Sequence, residues 1–263
     1  VELLKVKDKE VFVVESHNQV LEAWASGSQQ NVFSLDYHTD TRAAFQRYSY
    51  WRADSEIKAG HSYSHEKRIE ELTEEKIYQF MNNEIDIHQI NDNLQHDEHL
   101  DFSVRTDIVD KVFVLAKNRN LKSSNPNVHI LDGMTQYDDQ RIIEFSPPCL
   151  PDCRKEKHDE ECRILRAESS IEDSFLEDAV LKAESIAPFF FSHYILDVDC
   201  DYFNTEESLY PQEYEVFKRL VRNSDFITIA LEPECVKICR HADSQLESDA
   251  ILSRLVSLIE ELS

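Results

Sequence analysis

The stretch HYILDVDCDYF, His193 to Phe203, changes character halfway. It begins as a continuous apolar run through Tyr194, Ile195 and Leu196, then delivers Asp197, Asp199 and Asp201 at alternate positions. An apolar run without polar alternation is how a strand buried on both faces of a parallel sheet reads. Carboxylates at i, i+2 and i+4 of an extended chain share one face. The stretch therefore predicts a buried strand that ends in acid.

Other runs end the same way. VFVV (11–14) leads into Glu15-Ser16-His17, and NVFSL (31–35) leads into Asp36-Tyr37-His38-Thr39-Asp40. DFITIAL (225–231) leads into Glu232-Pro233-Glu234. KVFVL (111–115) and NVHIL (127–131) are further runs of this kind. Helical patterns lie between them, at 66–85, 169–186, 211–223 and 244–262, with Pro211 suited to a first turn. The last carries an apolar stripe through Leu246, Ile251, Leu255 and Leu258, which reads as a core-facing side. Strands alternating with helices predict an α/β fold with a mainly parallel central sheet flanked by helices. We read 1–263 as a single domain, with loop excursions at 86–100 and at 146–162, the second broken by Pro147, Pro148 and Pro151.

Composition narrows the function. The net charge is -24, from 52 acidic and 28 basic residues, which argues against nucleic acid as a partner. An acidic field suits a cationic substrate, or simply a well-solvated surface. The chain has 3 glycines, where average usage of about 7% would give roughly 18. No GxGxxG loop and no P-loop can be written, so nucleotide chemistry of those types drops out. No apolar run is long enough for a membrane span, and no secretion signal stands at the start. A cytoplasmic protein with reduced thiols is expected. In CLPDCRKEKHDEEC (149–162), Cys149, Cys153, His158 and Cys162 have the donor types of a tetrahedral zinc site, without the tight CxxC spacing. Nothing in the sequence fixes an oligomeric state.

In an open parallel sheet, ligands bind at the carboxyl ends of the strands, so the acidic and histidine-bearing strand ends should converge there. Taken singly, DxHxD also reads as a turn or a capped helix start, and DxDxD as a calcium-type loop. Taken together they would repel one another unless cations neutralise them. Two divalent ions are the economical solution, and carboxylates with few imidazoles suit Mn²⁺ better than zinc.

The order of these phrases resembles that of the ureohydrolase (arginase-like) superfamily. VVESHNQVLEAW, LDYHTD, DFSVRTDIVDKVFVL and HYILDVDCDYF look most like its peptide arginase branch, enzymes that turn arginine into ornithine within ribosomally made precursor peptides. The resemblance implies a three-layer arginase-like fold and two Mn²⁺ ions. His17 and Asp40 would bind one ion, His38 and Asp199 the other, and Asp36 and Asp197 would bridge. Water activated by the pair would attack the guanidinium carbon of an arginine in a precursor peptide, releasing urea. Two departures stand out. Val14-Glu15-Ser16-His17 replaces the usual Gly-Gly-Asp-His, and Asp201-Tyr202 follows Asp199 without the usual Asp-Pro spacing.

Such enzymes also grip the guanidinium with a late acidic residue, for which Glu232 is the candidate and Glu234 the second choice. The leaving amine needs a proton, and His65 or His61, in the polar stretch AGHSYSHE, are the candidate donors. His193 reads as a core histidine, and His88, His96 and His99 as surface residues. Tyr37 and Thr39 should point away from the metals. Two other readings stand beside this one. A single-zinc deacylase-like amidohydrolase of the same superfamily would rely on a His-His pair, which the sequence lacks. A non-catalytic acidic cleft would bind basic peptides without turnover.

Overall fold

The computed structural model describes residues 1–118, 125, 128–130 and 141–262. Eight strands form one sheet: β1 (Glu2–Val6), β2 (Lys9–Val14), β3 (Gln30–Asp36), β4 (Val109–Ala116), β5 (Val128–Ile130), β6 (Ile142–Phe145), β7 (Tyr194–Asp199) and β8 (Phe226–Ala230). Their order is β1-β2-β8-β7-β3-β4-β6-β5. β1 and β2 form an antiparallel hairpin, and every other neighbouring pair is parallel. From β3 the chain moves to β4 and β6 on one side, then returns to β7 and β8 on the other. The direction of winding therefore reverses between β3 and β7, the place where open α/β sheets bind ligands.

The helices are α1 (Leu21–Trp24), α2 (Gln46–Lys58), α3 (His65–Met81), α4 (Ile87–Asn91), α5 (His99–Arg105), α6 (Glu160–Glu168), α7 (Asp173–Ile186), α8 (Glu215–Asn223), α9 (Pro233–Cys239) and α10 (Ser248–Leu262). They cover both faces of the sheet. Strand alternation sends Phe33, Leu35, Phe113, Leu115, Leu196 and Val198 into one core, shared with buried residues of α7, α8 and α10. It sends Val32, Val112, Val114 and Ile195 into a second core, with Trp24, Phe102 and Ile77 of α1, α5 and α3. Phe33 and Phe113, neighbours on β3 and β4, stack at 5.6 Å between ring centres. Each such side chain adds roughly 1.5–3 kcal/mol by leaving water.

Several expectations change in detail. The run at 127–131 lies partly outside the described residues, and β5 is its described part. The pattern at 169–186 becomes a helix only from Asp173, and α8 begins at Glu215, leaving Pro211 outside. The 86–100 stretch is a loop only over 92–98, between α4 and α5. Asp86 and Gln89 form a reciprocal cap, each side chain bonding the other's backbone N–H at 2.9 Å, and this starts α4. Ile90, Leu94 and Leu100 then bury apolar side chains that the surrounding polar residues disguised. The 146–159 stretch carries no helix or strand before Asp159 caps α6. No helix among the described residues is long and apolar enough to cross a membrane.

Candidate metal centre

The centre is built on the gap between β3 and β7. Ser34 pairs with Asp197, and Leu35 with Val198, while β8 places Thr228 beside Asp197. The Asp197 carboxylate accepts from Ser34 Oγ at 2.8 Å and from Thr228 Oγ1 at 2.6 Å. Thr228 in turn accepts from the Trp24 indole at 3.3 Å. These buried hydroxyls fix the carboxylate's orientation. Asp36 and Asp199 follow at the ends of β3 and β7, on the same face as Asp197 by alternation.

His17 enters from the end of β2. Gln19 accepts from the backbone N–H groups of Glu15 and Ser16 at 3.1 Å each, winding the chain into a short 3₁₀ turn that begins at His17. The imidazole is fully buried. Its Nδ1 lies 2.9 Å from Asp40 and 3.2 Å from Asp199, and its Nε2 lies 2.9 Å from Asp197. Asp36 is 3.8 Å away. The aspartates expected to share ions thus converge on one ring.

His38 does not join them. Strict alternation would send Asp36, His38 and Asp40 to one side, but the chain leaves the strand after Asp36. The His38 N–H folds back onto the Asp36 carboxylate at 2.7 Å. Asp40 then takes a left-handed φ of 47° and returns its carboxylate to His17. His38 instead pairs through Nδ1 with Asp201 at 2.7 Å, with the Cys239 sulfur 3.7 Å from Nε2. Asp201 also accepts from the Tyr37 N–H at 3.1 Å, so it anchors the turn. Thr39 is buried and shares a hydroxyl contact with Thr41.

The charges do not balance. His17 faces Asp36, Asp40, Asp197 and Asp199, all buried. Burial works against a charged imidazole, yet Asp197 and the hydrogen bonds to Asp197, Asp199 and Asp40 raise its pKa well above the ordinary value. Burial opposes ionisation of Asp197 too, but the imidazolium and its hydrogen bonds hold that carboxyl below its usual value. The rest of the set is not compensated. Burial first, then the neighbouring carboxylates, push Asp36 well up and Asp199 to about 8. Burial likewise raises Asp40 against the pull of His17. One monocation is too little charge for this pocket. Asp36 Oδ2 and His99 Nε2 are buried without hydrogen-bond partners. Hard oxygen donors, two imidazoles and unspent lone pairs fit a divalent cation of the Mn²⁺ class.

A second tier surrounds the cluster. Glu232, in a left-handed conformation at the head of α9, accepts from the His17 N–H at 2.8 Å and from Ser16 Oγ at 3.3 Å. Its other oxygen meets His96 Nδ1 at 2.8 Å and Cys235 Sγ at 3.0 Å. Burial opposes the Glu232 charge, but these donors hold its carboxyl far below the ordinary range, and the same bond raises His96 to about 9. His99 is fully buried, its ring tilted against those of His17 and Trp24 with centres 4.4 Å and 5.6 Å away. Its Nδ1 donates to the His96 carbonyl at 2.7 Å. Burial, then His17, depress its pKa to about 3, which keeps the ring neutral.

The reading of His99 as a surface residue is therefore corrected, while His96 keeps a half-exposed side chain and is bonded to Glu232. The missed signal is the Ile90, Leu94, Leu100, Phe102 spacing, which buries one side of this segment. Its register is clamped by Arg42 N–H on the Asp97 carbonyl at 3.0 Å and Ala44 N–H on Asp101 at 2.9 Å. His88 is exposed beside Glu22. His193 is exposed next to Asp225, not in the core, because it precedes β7. His61 is exposed, 6.1 Å from the Tyr63 ring, and His65 starts α3 with its ring 4.9 Å from Tyr50. The structure does not bring His61 or His65 into the groups of ligand-type side chains gathered around His17, Glu232 or His38. Comparison with protein-family models, with curated proteins and with solved structures gives no match to this chain.

Proposed function

We propose that this chain is a dinuclear manganese hydrolase of the arginase-like type, converting arginine side chains of a precursor peptide to ornithine and urea. The observation that carries the reading is the convergence of Asp36, Asp40, Asp197 and Asp199 on His17 at the carboxyl edge of the sheet. The three-layer arginase-like architecture belongs to the same proposal, supported by the parallel sheet with helices on both faces.

His17, Asp36, Asp40, Asp197 and Asp199 would hold the ions, with His38 recruited by a turn of its side chain away from Asp201. A pair of divalent cations supplies a nucleophile from water near neutral pH. The chain's own residues do the rest. Ser34 and Thr228 aim Asp197. Glu232 anchors the His17 turn through one oxygen, and its other oxygen carries the His96 imidazolium. A guanidinium is the stronger partner for a carboxylate, since it presents parallel N–H donors. On substrate binding Glu232 exchanges His96 for the guanidinium, and the freed His96 gives its proton to the departing amine. This assigns proton delivery to His96, ahead of His61 and His65.

The test is urea release from an arginine-containing peptide by the Mn²⁺-loaded chain, together with manganese stoichiometry. Two ions per chain and urea, both lost in Asp36→Asn, support the proposal. One zinc with deacylation would favour the single-metal reading. Peptide binding unchanged in Asp36→Asn, with no turnover in either protein, would favour the non-catalytic cleft.

A further inference from the structure

A second set of ligands lies in the 146–162 stretch, apart from the carboxylate cluster. Cys149, Cys153, His158 and Cys162 bring three sulfurs and one ring nitrogen within 4.8 Å of one another. Cys153 Sγ is 3.8 Å from Cys162 Sγ and 3.8 Å from His158 Nδ1. A tetrahedral site with zinc–sulfur bonds of about 2.3 Å has an S···S edge of about 3.8 Å. A disulfide would need its sulfurs about 2.05 Å apart. All three thiols are free, and Cys149 and Cys162 are buried.

The backbone favours a thiolate at one of the three cysteines. Cys162 stands in the first turn of α6, where backbone N–H groups favour negative charge. A segment without helix or strand gains little from its own backbone bonds, so something else must hold its shape. From these observations we infer that Cys149, Cys153, His158 and Cys162 form a closed Cys₃His structural zinc site that shapes this segment.

The site has a place in the fold. His158, together with Pro148, Arg163 and Arg166, lines a cavity of about 480 Å³ whose other wall includes Tyr37 and Cys239, beside His38. Zinc would fix the wall of a polar cavity next to the carboxylate centre. The inference does not depend on the proposed hydrolase activity.

The full chain is purified with zinc, measured by elemental analysis, and separately loaded with Co²⁺. We expect thiolate-to-cobalt charge-transfer absorption, and one zinc that persists in an Asp36→Asn/Asp197→Asn variant. Cys153→Ser and His158→Ala should weaken both signals, whereas Cys239→Ser and Cys235→Ser should leave them unchanged. Should a cysteine variant fail to fold, thiol titration of the unmodified chain gives the answer, since a chelator should then expose the thiols of Cys149, Cys153 and Cys162 to an aromatic disulfide reagent. Absence of the charge-transfer band, a band lost in Cys239→Ser, thiol reactivity indifferent to chelator, or a Cys153–Cys162 disulfide found by mass spectrometry would overturn the inference.

Discussion

The carboxylate cluster and the thiol cluster both gather ligand-type side chains, and they are built in opposite ways. The first takes His17, Asp36, Asp40, Asp197 and Asp199 from three strand ends that are far apart in the chain. Backbone bonds of the sheet place most of these residues regardless of any ion. The second takes all its donors from 149–162, where regular structure begins only at α6. The strand cluster is preorganised and over-charged, while the loop cluster is locally unsupported. A cation would therefore relieve repulsion in the first and supply folding energy in the second.

The most severe way to break the first cluster is Asp197→Asn. It keeps the shape and removes the charge, and we expect urea release to fall to background. A graded version acts on the outer partners. Ser34→Ala or Thr228→Val leaves Asp197 in place but unguided, with an expected loss of about 10–100-fold in metal affinity or turnover. Titration of Mn²⁺ against each variant checks both.

Stability should separate the two faces of the sheet. Leu196→Ala opens the apolar core beside Asp197 and should cost about 2–5 kcal/mol in denaturant unfolding. Asp36→Asn on the other face should cost nothing in the metal-free chain, or should stabilise it, because it removes a buried carboxylate among like charges. The same variant should lose the stabilisation that Mn²⁺ gives the unmodified chain.

The effect of pH follows in sign. An unfolded Asp199 releases its proton near 3.8, while the folded one keeps it to about 8. Stability contributed by the protonated carboxyl is thus lost progressively across that window and levels off above it. His17, raised above 6.5, adds stability that is present below 6.5 and lost as pH rises through its folded value. The metal-free chain should melt lower at pH 8 than at pH 5, and added Mn²⁺ should flatten the difference.

The smallest expected effect is at His96. Its bond to Glu232 contributes stability below 6.5 that disappears as pH rises through about 9. The side chain is 41% exposed, so solvent screens the pair. His96→Gln should lower the melting temperature by at most about 2–4 °C at pH 6, and by less at pH 9.5.

Much of this was legible in the sequence, for a physical reason. Buried parallel strands demand unbroken apolar runs, so VFVV, NVFSL, KVFVL, HYILDV and DFITIAL betray both the sheet and the edge where their acids emerge. Backbone turns beyond the strands were not legible. Alternation predicts His38 beside Asp36, but the positive φ of Asp40 and the pull of Asp201 divide them. Glu232 was singled out, yet its engagement with the His17 N–H depends on a long-range juxtaposition of β2 and β8. His96 and His99 were hidden by composition, since a segment that is polar on average can still bury one side. β1 and β6, short strands at or near the sheet's edges, left too little pattern to read.

The two-faced character of β7 has a consequence for how the chain tolerates error. Tyr194, Leu196 and Val198 face one core, while Ile195, Asp197 and Asp199 face the other side. Deleting one residue early in β7 would swap every side chain downstream to the opposite face. It would drive carboxylates into a dry apolar layer and offer Leu196 and Val198 to the aspartates around His17. Substitutions can injure the scaffold or the cluster separately. A frame slip in this strand injures both at once, so lineages of this chain should accept insertions and deletions in β7 only in multiples that preserve its parity.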